Sequence, residues 1–166
     1  MSEREVASVS PGRAMRSVRV VTQNLWGRRG AWPERRAVLI AGLRKLQPDL
    51  IAFQEAIKND EYDQVRDLLG PDYHVLHSSK REAGDGGDVE AGQGISIASR
   101  WPFRAAQELE LPLTPRMAES VRVSLLVEVH APDPIGPLFF VNHNPSWQLR
   151  FEFELQAVAV ARALED

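Results

Sequence analysis

The sequence predicts an α/β protein containing a parallel strand pair, and two observations carry that prediction. Residues Val18 to Ala56 read as strand, helix, strand: VRVVTQNLWG, then RRGAWPERRAVLIAGLRKLQ, then PDLIAFQEA. Three apolar strand runs also end in a polar pair, at Gln23-Asn24, Gln54-Glu55 and Asn142-His143.

Residues 1–16 mix charge, Ser, Pro and Gly without a period and are expected to form a disordered tail. Val18, Val20 and Val21 then supply a β-branched run that stops at Thr22-Gln23-Asn24. Pro33 suits a helix start, and Leu39, Ile40, Leu43 and Leu46 recur at helical spacing. Pro48 disfavours helix at Gln47, so the helix should stop there. Leu50 to Phe53 form a second apolar run, which stops at Gln54-Glu55. A crossover helix makes the two strands parallel, so Asn24 and Glu55 should open onto one edge of the sheet. Open α/β sheets bind ligands at that edge. A carboxylate beside an amide oxygen suits a hard divalent cation. By residue type alone, Asn24 could as well cap a turn and Glu55 be a solvated strand-end acid. Arg28-Arg29 and Arg35-Arg36 raise the same choice. Such residues commonly form a solvated helix face, while a guanidinium fork, Arg28 included, also matches phosphate oxygens.

Further on, Tyr62, Val65, Leu68 and Leu69 share a short helical face that Gly70-Pro71 ends. YHVLHSS reads as a strand with His74 and His77 on opposite faces, poorly placed for one metal site and treated as structural. Lys80 to Gly92 is Gly-rich and acidic, the signature of a flexible loop. GQGISIASRWPF, AAQELELPL and VRVSLLVEVHA follow as strands, the last nearly continuous in apolar residues and so central in its sheet. After the DPIGP turn, Leu138 to Val141 form a strand ending at Asn142-His143. Phe153, Ala157, Val160, Ala161 and Leu164 trace a helix face for packing on a sheet. Phe151, Leu155 and Val158 add a second apolar side, so this helix is expected to be largely buried.

TQNLWG followed by LQPDLIAFQEA resembles the opening of the endonuclease/exonuclease/phosphatase superfamily of metal-dependent phosphoesterases, and the GISIASRWP strand resembles a later one. The resemblance implies the N-terminal half of a four-layer α/β/β/α sandwich with mixed sheets, with residues 17–166 forming a C-terminally incomplete domain. It implies hydrolysis of a phosphodiester or phosphomonoester with Mg²⁺, or Mn²⁺ in its place. Carried over by match, Glu55 and Asn24 hold the metal, and Asn24 and His143 are catalytic; apart from the match, Asn142 and Arg28 are candidate substrate contacts. These strand-end residues are expected to cluster at one end of one sheet. The chain departs from the family in one respect here: many members read Asn-Thr-His, whereas Asn142-His143 has no spacer. The family's later Gly-Asp-x-Asn and Ser-Asp-His motifs, the second of which supplies the water-activating base, are not matched in the 166 residues. Activity of the chain alone is accordingly doubtful. The other reading is a truncated, inactive relative that binds phosphate or a partner. Either way an uncovered sheet face invites a second half or self-association.

Composition narrows the rest. With 43% hydrophobic and 26% charged residues, the chain has globular usage and length for one ordinary domain. A formal charge of -3 gives no basic field for nucleic acid, although a bound metal would add local positive charge. Nucleic acid thus stays open as a substrate without being indicated by charge. The absence of cysteine removes disulfides and thiolate metal sites. No apolar run is long enough to span a bilayer, and a cytoplasmic protein is expected.

Overall fold

The computed structural model describes residues 17–84, 90–115, 122–146 and 149–165. The expected tail at 1–16 and the centre of the expected loop, 85–89, lie outside them. Ten elements are described, in the order β1 Val20–Asn24, α1 Trp32–Leu46, β2 Leu50–Ile57, α2 Gln64–Leu69, β3 His74–His77, β4 Gln93–Ser99, β5 Phe103–Glu110, β6 Val123–Ala131, β7 Gly136–His143 and α3 Arg150–Ala163.

The predicted strand–helix–strand unit is present. Pro33 stands in the first turn of α1, and Gln47 closes the helix in a left-handed conformation, its N–H donating to the Leu43 carbonyl. β1 and β2 pair in parallel, with Asn24 opposite Gln54. β4 joins β2 and β3 by antiparallel pairing, which gives a mixed sheet in the order β1-β2-β4-β3. The second sheet is antiparallel, β5-β6-β7, with the apolar β6 central as its sequence requires.

Two cores define the layers. Ile51, Phe53, Ala56 and Ala98 of the first sheet pack on Leu43 of α1 and on Val65 and Leu68 of α2. On the opposite face, Leu50, Ile95 and Ile97 meet Val123, Leu125, Val127 and Val129 of the second sheet. Helix α3 lies beyond that sheet, where Ala163 and Leu164 border a groove with Leu126, Phe139 and Val141. The result is the α/β/β/α layering.

Two elements differ from expectation. β2 does not stop at Phe53 but runs on to Ile57 through a register shift between Phe53 and Ala56. Helix α3 is not largely buried either. Phe151 is 63% exposed, and Phe153, Leu155, Val158 and Leu164 are also exposed, while Glu152 and Gln156 are fully buried. Polar docking explains this. Glu152 accepts hydrogen bonds from the Thr114 N–H and hydroxyl. Gln156 accepts from the Ser146 N–H at 2.8 Å and donates to the Pro112 carbonyl at 3.1 Å. These bonds turn the polar stripe inward, and the apolar positions at 153, 157, 161 and 164 outward. The Thr114 hydrogen bonds hold the Glu152 carboxyl below its usual range.

Candidate metal and phosphate site at the β1–β2 edge

The bulge in β2 builds the site. Phe53 pairs with Ser96 and Ala56 with Gly94, so two residues, Gln54 and Glu55, stand opposite the single residue Ile95. Phe53 and Ala56 both face the helices, which leaves Gln54 and Glu55 together on the face toward the second sheet. Glu55 reaches this position with φ at 53°, in the left-handed region. In a regular strand its side chain would have gone to the helix side. The bulge brings it onto the same side as Asn24, whose Nδ2 donates to Glu55 Oε1 at 2.8 Å. Asn24 Oδ1 accepts the Trp26 N–H at 2.8 Å, which fixes the orientation of the amide. Among the described residues no hydrogen bond is made to Glu55 Oε2.

Asn142 sits under this edge as a buckle between the sheets. It is only 1% exposed. Its Nδ2 donates to the carbonyls of Phe53 (2.7 Å) and Ser96 (2.9 Å), the last paired residues before the bulge. Its Oδ1 accepts from Gln54 Nε2 at 2.8 Å. Gln54 in turn donates to the Thr22 hydroxyl at 3.2 Å. Asn142 therefore supports the site from within and has no open surface for substrate.

His143 is not part of this cluster. It lies at the same end of the sandwich, but on β7 of the second sheet rather than in the sheet of Asn24 and Glu55. Adjacent strand residues point to opposite faces, and Asn142 has taken the inner one. His143 Nδ1 is 2.7 Å from Ser124 Oγ, on the α3 side, and Nε2 is buried without a partner among the described residues. The missing spacer explains the difference. In Asn-x-His the two side chains share a face, whereas in Asn-His they cannot. Residue 144, at the two-residue step from Asn142, is an asparagine.

Arg28 is engaged elsewhere. It forms an ion pair with Glu90 and lies 5.2 Å from the Tyr62 ring centroid. Arg35 and Arg36 are not a solvated face. Arg35 donates to the carbonyls of Leu25 (2.8 Å) and Arg29 (2.6 Å). Arg36 pairs with Asp67, which also accepts from the Tyr62 hydroxyl. Burial, followed by that bond, pushes Tyr62 up to about 12. His77 bridges Ser96 Oγ (2.8 Å) and Asp63 Oδ2 (2.9 Å), a fully buried serine and a helix cap, which makes the arrangement structural.

Sequence reading did not find the bulge, the role of Gln54 or the left-handed Trp26. One signal for the bulge was available. In Phe53-Gln54-Glu55-Ala56-Ile57 the apolar pattern resumes after two polar residues instead of one.

The donor set fits a sparsely ligated cation. Among the described residues no group of three His, Cys, Asp or Glu side chains could hold a metal ion. Mg²⁺ keeps several waters and needs only one or two carboxylates when phosphate oxygens complete its shell. Glu55, with one oxygen steadied by Asn24, suits that role. Asn24, turned with Oδ1 toward the Trp26 N–H, positions the carboxylate and is not placed as a direct ligand.

The two half-buried imidazoles make stability pH-dependent. Burial holds His143 below its ordinary value of 6.5. Burial is also the largest cause for His77, where nearby Asp63 opposes and Arg81 and Lys58 reinforce the shift. The unfolded chain then takes up protons first as pH falls below about 6.5, so stability is full above that pH and declines toward pH 5. Urea unfolding at pH 7.5, 6.5 and 5.0 should show a falling midpoint, with a smaller fall in His143→Gln. A midpoint constant over this range would contradict the assignment.

The Endonuclease/Exonuclease/phosphatase family matches residues 21–164. No curated protein is similar enough to match. Among solved structures, an endonuclease/exonuclease/phosphatase family protein from Leptotrichia buccalis C-1013-b is 16% identical with a TM-score of 0.69, over 90% of this chain and 61% of that one. The human Nocturnin catalytic domain with bound sulfate anion is 15% identical with a TM-score of 0.68, over 89% and 57%. D. rerio TDP2 complexed with single strand DNA product is 18% identical with a TM-score of 0.65, over 90% and 55%. At these identities the likeness is one of fold. The chain spans 61%, 57% and 55% of the lengths of these three proteins. No helix among the described residues is long and apolar enough to cross a membrane.

Proposed function

We propose, from the premise that this chain belongs to the endonuclease/exonuclease/phosphatase family, that its β1–β2 edge is the metal- and phosphate-holding part of a phosphoesterase site. The reaction is hydrolysis of a phosphodiester or phosphomonoester. The observation that carries this reading is the contact of Asn24 with Glu55, which only the bulge in β2 makes possible. Strain of this kind persists where the surrounding structure enforces it, and it concentrates at functional sites. The sulfate in the Nocturnin structure and the DNA product in TDP2 support a tetrahedral phosphoester as ligand class.

Glu55 would hold a divalent cation, Mg²⁺ or Mn²⁺, with Asn24 fixing the carboxylate. The bound metal would act as a Lewis acid on a phosphoryl oxygen. Gln54 and Asn142 hold the bulge in place beneath it. A water-activating base is not supplied by His143, which faces the α3 side. A second structural half would supply that base, and would cover Val20 (52% exposed), Phe139 (76%) and the outer apolar residues of α3.

A binding module without turnover is the second reading, and the lone carboxylate favours it. One experiment addresses both. Inorganic phosphate should show ³¹P line broadening with the chain only when Mg²⁺ is present, and an activated phosphodiester then reports turnover. Metal-dependent binding with turnover supports the enzyme, and metal-dependent binding without turnover supports the module. Binding that ignores Mg²⁺ would contradict both.

A further inference from the structure

Trp26 stands two residues beyond Asn24, 51% exposed, with φ at 53°. The left-handed region is unfavourable for a bulky side chain, and the conformation persists here because the site enforces it. On one side the Trp26 N–H donates to Asn24 Oδ1 at 2.8 Å. On the other, the Gly27 N–H donates to the Glu55 backbone carbonyl at 2.9 Å. The indole thus leaves the chain at the rim of the Asn24–Glu55 edge. It is also braced. The Arg35 guanidinium lies over the ring, 5.6 Å from its centroid, and is itself tied to the carbonyls of Leu25, Gly27 and Arg29. Gly30 lies beside the ring, where an added Cβ would come within 3.4 Å of Trp26 Cζ3.

A lone exposed apolar residue needs no explanation. A strained one, stacked on a fixed cation at the rim of a phosphate site, is different. Its ring is held in advance, with one face on the guanidinium and half its surface open. We propose that Trp26 is a stacking platform for a nucleobase, so that the substrate class is a nucleotidyl phosphoester with its phosphate at the Asn24–Glu55 edge. This inference rests on the reading of that edge as a phosphoester site. The formal charge of -3 agrees with a mononucleotide or short strand end, since a long duplex is held by many basic contacts.

The test compares AMP with ribose 5-phosphate, which carries the same phosphate and sugar without the base. Dissociation constants are measured by isothermal titration at saturating Mg²⁺. The wild-type chain should prefer AMP by about tenfold, the order that base–aromatic stacking contributes. Trp26→Gly, which relieves the backbone strain and should fold, should erase the preference, and Trp26→Phe should keep part of it. If ribose 5-phosphate binds and AMP binds no better, or if the preference survives in Trp26→Gly, the platform is refuted and the phosphate site stands. If neither compound binds, both inferences fall.

Discussion

Whatever Mg²⁺-supported phosphoester turnover the chain shows, Glu55→Gln should lower it by about 10³-fold, or to the uncatalysed rate. A bound cation contributes several kcal/mol to stabilising charge in the transition state. Losing about 4 kcal/mol of that corresponds to three decades of rate. Glutamine is nearly isosteric, and its amide oxygen can still accept from Asn24 Nδ2, so the bulge should survive. The variant should therefore unfold at a urea midpoint close to that of the wild type. Turnover is followed with an activated phosphodiester over hours, so that slow hydrolysis accumulates measurable product. Equal rates for variant and wild type at saturating Mg²⁺, both above the uncatalysed rate, would remove Glu55 from the mechanism.

Asn142→Leu should reduce the free energy of unfolding by about 3 kcal/mol. A buried polar group left without its partner costs roughly 1–3 kcal/mol, and this substitution strands more than one. The carbonyls of Phe53 and Ser96 lose their shared donor, and the Gln54 amide loses its acceptor. Leucine fills a similar volume, so the loss reports hydrogen bonding and not a cavity. The site should suffer with the fold, because these are the groups that hold the bulge open beneath Glu55. Urea denaturation gives the number, and a change below about 1 kcal/mol would mean that the buckle is not stabilising.

The sequence made the scaffold legible where local chemistry is decisive. Pro33 and Pro48 bracket α1, the β-branched and apolar runs mark β1, β2 and β6, and the crossover places Asn24 and Glu55 on one edge. The sequence was less informative where tertiary geometry overrides alternation. Reading Glu55 as a strand end gave the right neighbour for an incomplete reason, because a bulge, not the end of the strand, turns the carboxylate toward Asn24. The assignment of His143 rested on order along the chain, yet a one-residue step reverses the face of a strand side chain. For α3 the apolar periodicity was real, but Glu152 and Gln156 found fixed partners in Thr114, Ser146 and Pro112, and those bonds chose the face that packs.

The central claim is that Glu55, steadied by Asn24, holds the divalent cation, and Mn²⁺ binding tests it most directly. Free Mn²⁺ is measured by electron paramagnetic resonance during titration of the chain, with Mg²⁺ as competitor. The wild type should bind one ion, and Glu55→Gln should bind at least about 100-fold more weakly. Asn24→Ala should fall between them, since outer-shell partners are worth about 10- to 100-fold in metal affinity. His143→Gln should bind as the wild type does. Undiminished binding by Glu55→Gln, or loss of binding in His143→Gln alone, would contradict the account.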